Sequence, residues 1–169
     1  MLCLIAKLSE EATEQLRYVQ KAADPNSVLW KPLHGHITIA AYTGVEEKEF
    51  IRFCREQMAG ISSFAVQYQK IELLEDTSIV VTVPEKAGML EKIHRRITEK
   101  YNDELDQWTK TDSWYPHTTL FFSPGEDLQK VYRKLADAFV PFSARVCGAE
   151  FSRVLDTGYE IIDRINFTV

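Results

Sequence analysis

His36-Ile-Thr-Ile-Ala-Ala-Tyr-Thr43-Gly-Val-Glu46 and His117-Thr-Thr-Leu-Phe-Phe-Ser123-Pro-Gly-Glu126 are two versions of one pattern. Each opens His-x-Thr-aliphatic, adds two apolar residues, and reaches a hydroxyl residue followed three positions later by a glutamate. The first copy carries one extra residue, Tyr42, ahead of its hydroxyl. Hydroxyl-x-x-Glu has the form of a capping box, so each copy predicts a strand, a turn and an amphipathic helix. Thr43 and Ser123 are the expected caps. One His-x-Thr carries little weight, since strands often hold threonine. Two copies, each running into the same turn and helix signals, point to a duplicated unit.

The two-residue step gives the motif its chemical meaning. Side chains alternate across a strand, so His36 and Thr38 share one face, as do His117 and Thr119. Each unit presents an imidazole and a hydroxyl roughly 6–7 Å apart, two strand rises. Two units around one groove suit phosphodiester chemistry. A neutral imidazole takes a proton from the attacking oxygen and a protonated one gives a proton to the leaving oxygen. Threonine hydroxyls donate to the non-bridging oxygens, where negative charge gathers. No metal or other cofactor is needed.

The remaining chain alternates strands and helices. Leu2 to Leu8 reads as a strand, and Ser9 caps a helix to about Ala23 with Ala12, Leu16 and Val19 inward. Residues 64–73 alternate with a change of parity that predicts a bulge, and Glu75-Asp76-Thr77 turns them into a hairpin with Ile79 to Val83. Pro84 is expected to open the next helix, with Leu90, Ile93, Ile97 and Tyr101 on its stripe. A polar loop, Asn102 to Ser113, leads into the second motif. Two strands, about Phe142 to Leu155 and Tyr159 to Phe167, close the chain. No segment reads as a linker, so residues 1–169 are expected to form one domain.

Composition narrows the function classes. The chain has 169 residues, 45% hydrophobic and 27% charged, which is globular. It has no apolar run of membrane-spanning length and no basic leader with a long apolar core, so a cytoplasmic monomer without membrane contact is expected. Cys3, Cys54 and Cys147 fit neither a disulfide framework nor a zinc ligand set. The net charge of −5 and the lack of a basic stripe argue against a long duplex as partner. A small nucleotide or an RNA end is the expected partner.

His36-Ile37-Thr38-Ile39 and His117-Thr118-Thr119-Leu120 resemble the paired motif of the two-histidine phosphoesterases, which include the 2′-5′ RNA ligase-like proteins and the RNA 2′,3′-cyclic phosphodiesterases. The resemblance covers essentially the whole chain. It implies an α+β, bilobal fold: two pseudo-symmetric lobes of antiparallel sheet, with outer helices, around a central groove. It implies that His36 and His117 form a metal-independent acid–base pair and that Thr38 and Thr119 hold the phosphate. Substrates typical of the family are 2′,3′-cyclic phosphates, 1″,2″-cyclic phosphates and 2′-5′ linkages.

Secondary candidates surround the motifs. His34 could share the strand face of His36 and complete a metal site with His117, or lie at the groove rim beside a turn at Gly35. Tyr115, two residues before His117, is the preferred base-stacking candidate, and Tyr42 is a second. Trp30, Trp114 and Phe122 are more simply packing residues. His94, on a helix beside Ile93 and Ile97, reads as a residue at the boundary of core and surface with no catalytic role. Two other functions remain open: a nucleotide-binding module of the same fold without turnover, and a metal-dependent hydrolase.

Overall fold

A computed structural model describes residues 1–23, 35–74, 77–122, 127–156 and 158–169. The element order is β1 (Leu2–Leu8), α1 (Glu10–Ala23), β2 (His36–Tyr42), α2 (Glu47–Gln57), β3 (Phe64–Leu73), β4 (Ile79–Glu85), α3 (Gly88–Thr98), β5 (Thr118–Phe122), α4 (Leu128–Ala138), β6 (Phe142–Leu155) and β7 (Gly158–Asn166). Two short 3₁₀ turns, Asn102–Glu104 and Gln107–Thr109, lie in the polar loop before β5. The fold is α+β, as the sequence implied.

The described strands form one antiparallel sheet in the order β2-β1-β6-β3-β4-β5, with β7 alongside β6. The long β6 is shared: Phe142 to Val146 pairs with β3, and Gly148 to Leu155 with β7. The duplication is complete at this level. Exchange β1-α1-β2-α2-β3 for β4-α3-β5-α4-β6 and the strand order becomes its own reverse. Helix packing follows the same exchange: α1 rests on α4 and β5, while α3 rests on α2 and β2. Each half therefore lends a helix to the other half's motif strand.

The register repeats too. Between β1 and β2 the pairing steps from Leu4↔Ala40 to Ile5↔Thr38, skipping Ile39. Between β4 and β5 it steps from Val80↔Phe121 to Val81↔Thr119, skipping Leu120. Both bulges fall on the fourth motif residue. A bulge adds twist and re-aims side chains, and bulges gather beside active sites.

Two expected boundaries are corrected. The cap of α2 is Glu46, whose carboxylate accepts from Glu49 N, and not Thr43. Thr43 N is instead bound to Glu104 O, and Gly44 takes a left-handed φ of 91°, so the chain is still turning there. Asp127 caps α4, accepting from Gln129 N and Lys130 N; the expected cap Ser123 lies outside the described residues. Glu46 and Asp127 stand equally far from His36 and His117, and both helices have 11 residues, so Tyr42 is no insertion. Pro84 does not open a helix. It lies in β4 opposite Tyr68, beyond the last β5 pairing at Thr82↔Thr118, where its missing N–H removes no ladder bond on the β5 side. The bulge predicted in β3 is present, between Tyr68 and Ile71.

One core cluster joins the two halves, with Leu4, Leu16, Ile37, Ile39, Phe50, Leu90, Leu120 and Phe151 all buried. Tyr42 belongs to it. Fully buried, it meets Phe50 edge-on at 4.8 Å and Tyr101 at 6.0 Å. This rules out Tyr42 as a groove or base-stacking residue: at the far end of β2 from His36, its ring is spent on core packing.

Candidate active site

His36 and Thr38 are half-buried and alternate with the fully buried Ile37 and Ile39. His117 and Thr119 are half-buried and alternate with the buried Thr118 and Leu120. The strand parity expected from the sequence therefore holds in both copies.

β2 and β5 are the two ends of the strand path, yet they meet. The Thr118 hydroxyl donates to the His36 carbonyl at 2.9 Å. The Trp114 indole N–H donates to the Thr38 carbonyl at 3.0 Å. A carbonyl can only accept, so Thr118 spends its proton on His36 and accepts from the Tyr68 hydroxyl, 2.7 Å away. Burial pushes the Tyr68 phenol up, which keeps it a donor. The result is a buried chain from Tyr68 in β3 to the backbone of His36.

His117 is oriented by its own chain. Its Nδ1 lies 2.7 Å from the Tyr115 carbonyl, so Nδ1 carries the hydrogen and Nε2 is the atom that exchanges protons. Desolvation holds the His117 pKa below the ordinary histidine value, partly offset by that carbonyl. The neutral ring is favoured near neutral pH.

Tyr115 is tied at both ends. Its carbonyl holds His117, and its hydroxyl donates to Glu72 Oε2 at 2.8 Å. The other Glu72 oxygen is 2.6 Å from Lys70 Nζ. Burial and then Glu72 raise the Tyr115 phenol to about 12, while Lys70 and then Tyr115 hold the Glu72 carboxyl below the usual range. Tyr115 as a whole keeps 42% of its surface exposed, two residues before His117.

Three residues that the sequence reading gave no part in the site contribute to it. Thr118 bridges the motifs. Gln20 of α1 donates to the Thr119 carbonyl at 3.2 Å. His94 is buried and not at the boundary of core and surface: it stacks on Trp114 at 4.1 Å and 9°, and its Nδ1 sits 2.7 Å from the Ile39 carbonyl. These partners lie far away in sequence, and only a period-2 reading of β5, with Thr118 on the inward face, hinted at one of them. His34 and Trp30 lie outside the described residues. Among the described residues, no group of three or more His, Cys, Asp or Glu side chains is placed to hold a metal ion, and no helix is long and apolar enough to cross a membrane.

Solved structures similar to this one share its architecture along nearly the whole chain. Escherichia coli LigT complexed with 3′-AMP superposes with a TM-score of 0.69 at 16% identity, covering 99% of this chain and 98% of that one. TT0787 of Thermus thermophilus gives 0.68 at 17%, covering 98% and 97%. Kluyveromyces marxianus Usb1 gives 0.52 at 12%, covering 98% and 96%. At these identities the likeness is one of fold. No curated protein sequence gives a significant match. The family model of the 2′-5′ RNA ligase superfamily matches residues 6–157. With that span enclosing both His-x-Thr motifs, the chain belongs to the 2′-5′ RNA ligase superfamily of two-histidine phosphoesterases.

Proposed function

We propose that this chain is a metal-independent phosphodiesterase acting on a small nucleotide or an RNA end carrying a 2′,3′-cyclic phosphate, a 1″,2″-cyclic phosphate or a 2′-5′ linkage. The observation that carries the reading is the meeting of the two motifs: Thr118 of the second binds the His36 carbonyl of the first. Superfamily membership supports phosphoesterase chemistry. LigT has been crystallised with 3′-AMP, ATP and NADP⁺, which supports a small nucleotide here.

In hydrolysis, His117 Nε2 takes a proton from water as the water oxygen attacks phosphorus. The bond from phosphorus to the leaving ribose oxygen breaks, and His36 gives that oxygen a proton. The lowered His117 pKa supports this assignment, because a general base must be neutral at rest. The roles exchange in the reverse direction. Thr38 and Thr119 donate to the non-bridging oxygens. Tyr115, partly exposed and with its hydroxyl anchored on Glu72, is the base platform.

The test is a substrate panel in EDTA: 2′,3′-cyclic nucleotides, ADP-ribose 1″,2″-cyclic phosphate and 2′-5′ dinucleotides. Turnover of at least one, lost in His36→Ala and in His117→Ala, is expected. Turnover untouched by both substitutions sinks the mechanism. Tight binding of 3′-AMP with no turnover across the panel replaces it with a nucleotide-binding module.

A further inference from the structure

β2 and β5 pose a problem that the fold solves with side chains. Each is a terminal strand whose outer carbonyls need donors. Direct pairing of the two would satisfy them and would also close the sheet between the motifs. Instead, three carbonyls within His36–Ile39 and one within His117–Leu120 are met by side chains. Thr118 serves His36, Trp114 serves Thr38, His94 serves Ile39, and Gln20 serves Thr119. Thr38 and Thr119 occupy the same motif position, so both threonine carbonyls are held by a side chain from outside their own strand.

We infer that His94 and Trp114 are positioning residues: a stacked strut, one ring from α3 and one from the approach to β5, that fixes the Thr38–Ile39 bulge of the first motif relative to the second. Trp114 lies three residues before His117 and reaches across to Thr38. Its indole is pressed by a nearly parallel imidazole at 4.1 Å. That imidazole donates to the bulge residue itself. One pair of rings thus holds two successive carbonyls of the first motif, and one of those rings is carried by the chain leading into the second.

His94 carries a cost that packing alone does not explain. With Nδ1–H given to Ile39 O, its Nε2 is a buried acceptor without a partner among the described residues. A phenyl ring would stack on the indole as well and strand no nitrogen. Such an orphan is expected where a local rule is broken for function. What the imidazole adds over phenyl is the donor for Ile39, at the position where the ladder is interrupted. The motif backbone is held there by a side chain because no strand neighbour holds it.

The kinetic arm of the test rests on the phosphodiesterase reading, and the structural arm does not. The variants are Trp114→Phe, which keeps a ring and loses the indole donor; His94→Leu; and His94→Asn, whose amide restores a donor at the Nδ1 position. On the best substrate of the panel, at a temperature where all variants are folded, Trp114→Phe and His94→Leu are expected to lose about 10- to 100-fold in kcat with little change in KM, as for groups that misplace catalytic atoms by about 1 Å. His94→Asn is expected to recover most of that loss. In crystal structures, Trp114→Phe is expected to displace Thr38 relative to Thr119. Unchanged Thr38–Thr119 and His36–His117 separations in both Trp114→Phe and His94→Leu overturn the strut, whether or not the wild type turns over. Displacement in an enzyme with no turnover keeps the strut and removes the phosphodiesterase reading.

Discussion

At the scale of single residues, the site depends on where protons are obliged to sit. His117 has one choice, because a carbonyl faces Nδ1. Thr118 has one choice, because a carbonyl faces it on one side and a phenol on the other. Thr118→Val therefore removes the acceptor of the Tyr68 hydroxyl and the side-chain donor to the His36 carbonyl. It is expected to cost about 1–3 kcal/mol in urea unfolding, while Thr118→Ser, which keeps the hydroxyl, costs distinctly less. Equal losses in the two variants would mean that the methyl group, not the hydrogen bond, is what matters. The shared face of His36 and Thr38, and that of His117 and Thr119, were legible because period 2 and a repeated motif are local facts. Thr118 and His94 were not, because their partners sit 82 and 55 residues away and only the folded sheet brings them near.

At the scale of elements, the repeat is tighter than its letters. Thr43 and Ser123 matched the hydroxyl-cap pattern, and the pattern misled. Gly44's left-handed turn delays α2 until Glu46. Once the carboxylates are taken as caps, the two motif-to-helix passages have the same length. Asp127 accepts two amide hydrogens and Glu46 one. Asp127→Ala is expected to destabilise by about 1 kcal/mol, and Glu46→Ala by less, read from thermal midpoints. Pro84 misled for a related reason. Proline after a strand pattern usually marks a helix start, and here the neighbouring strand had ended first. The paired bulges at Ile39 and Leu120 were invisible, since a bulge is a relation between strands and β1 and β4 carry no mark of it.

At the scale of the molecule, a two-fold exchange maps the strand order onto its reverse and brings the ends of the path together. The fold class was legible through the family resemblance that the duplicated motif carries. The exchange of helices between halves was not, because nothing in α1 says that it will rest on β5. Folding also sets the acid response. His94 and His117 are both held below the ordinary histidine pKa by desolvation. The folded state then binds fewer protons than the unfolded chain, so this part of the stability is complete above about pH 6.5 and is lost as pH falls through the lowered folded values. The urea midpoint is expected to drop between pH 7 and pH 5, and to drop less in His94→Asn. A midpoint that rises over that interval would reverse the sign assigned to both rings.

The central claim is that two histidines, one from each half, share one proton-transfer reaction. The pH dependence of kcat/KM on a 2′,3′-cyclic nucleotide, measured in EDTA for the wild type, His36→Ala and His117→Ala, tests it most directly. A bell-shaped wild-type profile is expected, with each variant slowed by about 10²- to 10⁴-fold. His117→Ala should lose the acidic limb, and His36→Ala the basic one. A bell that survives in both variants at near wild-type rate would contradict the account.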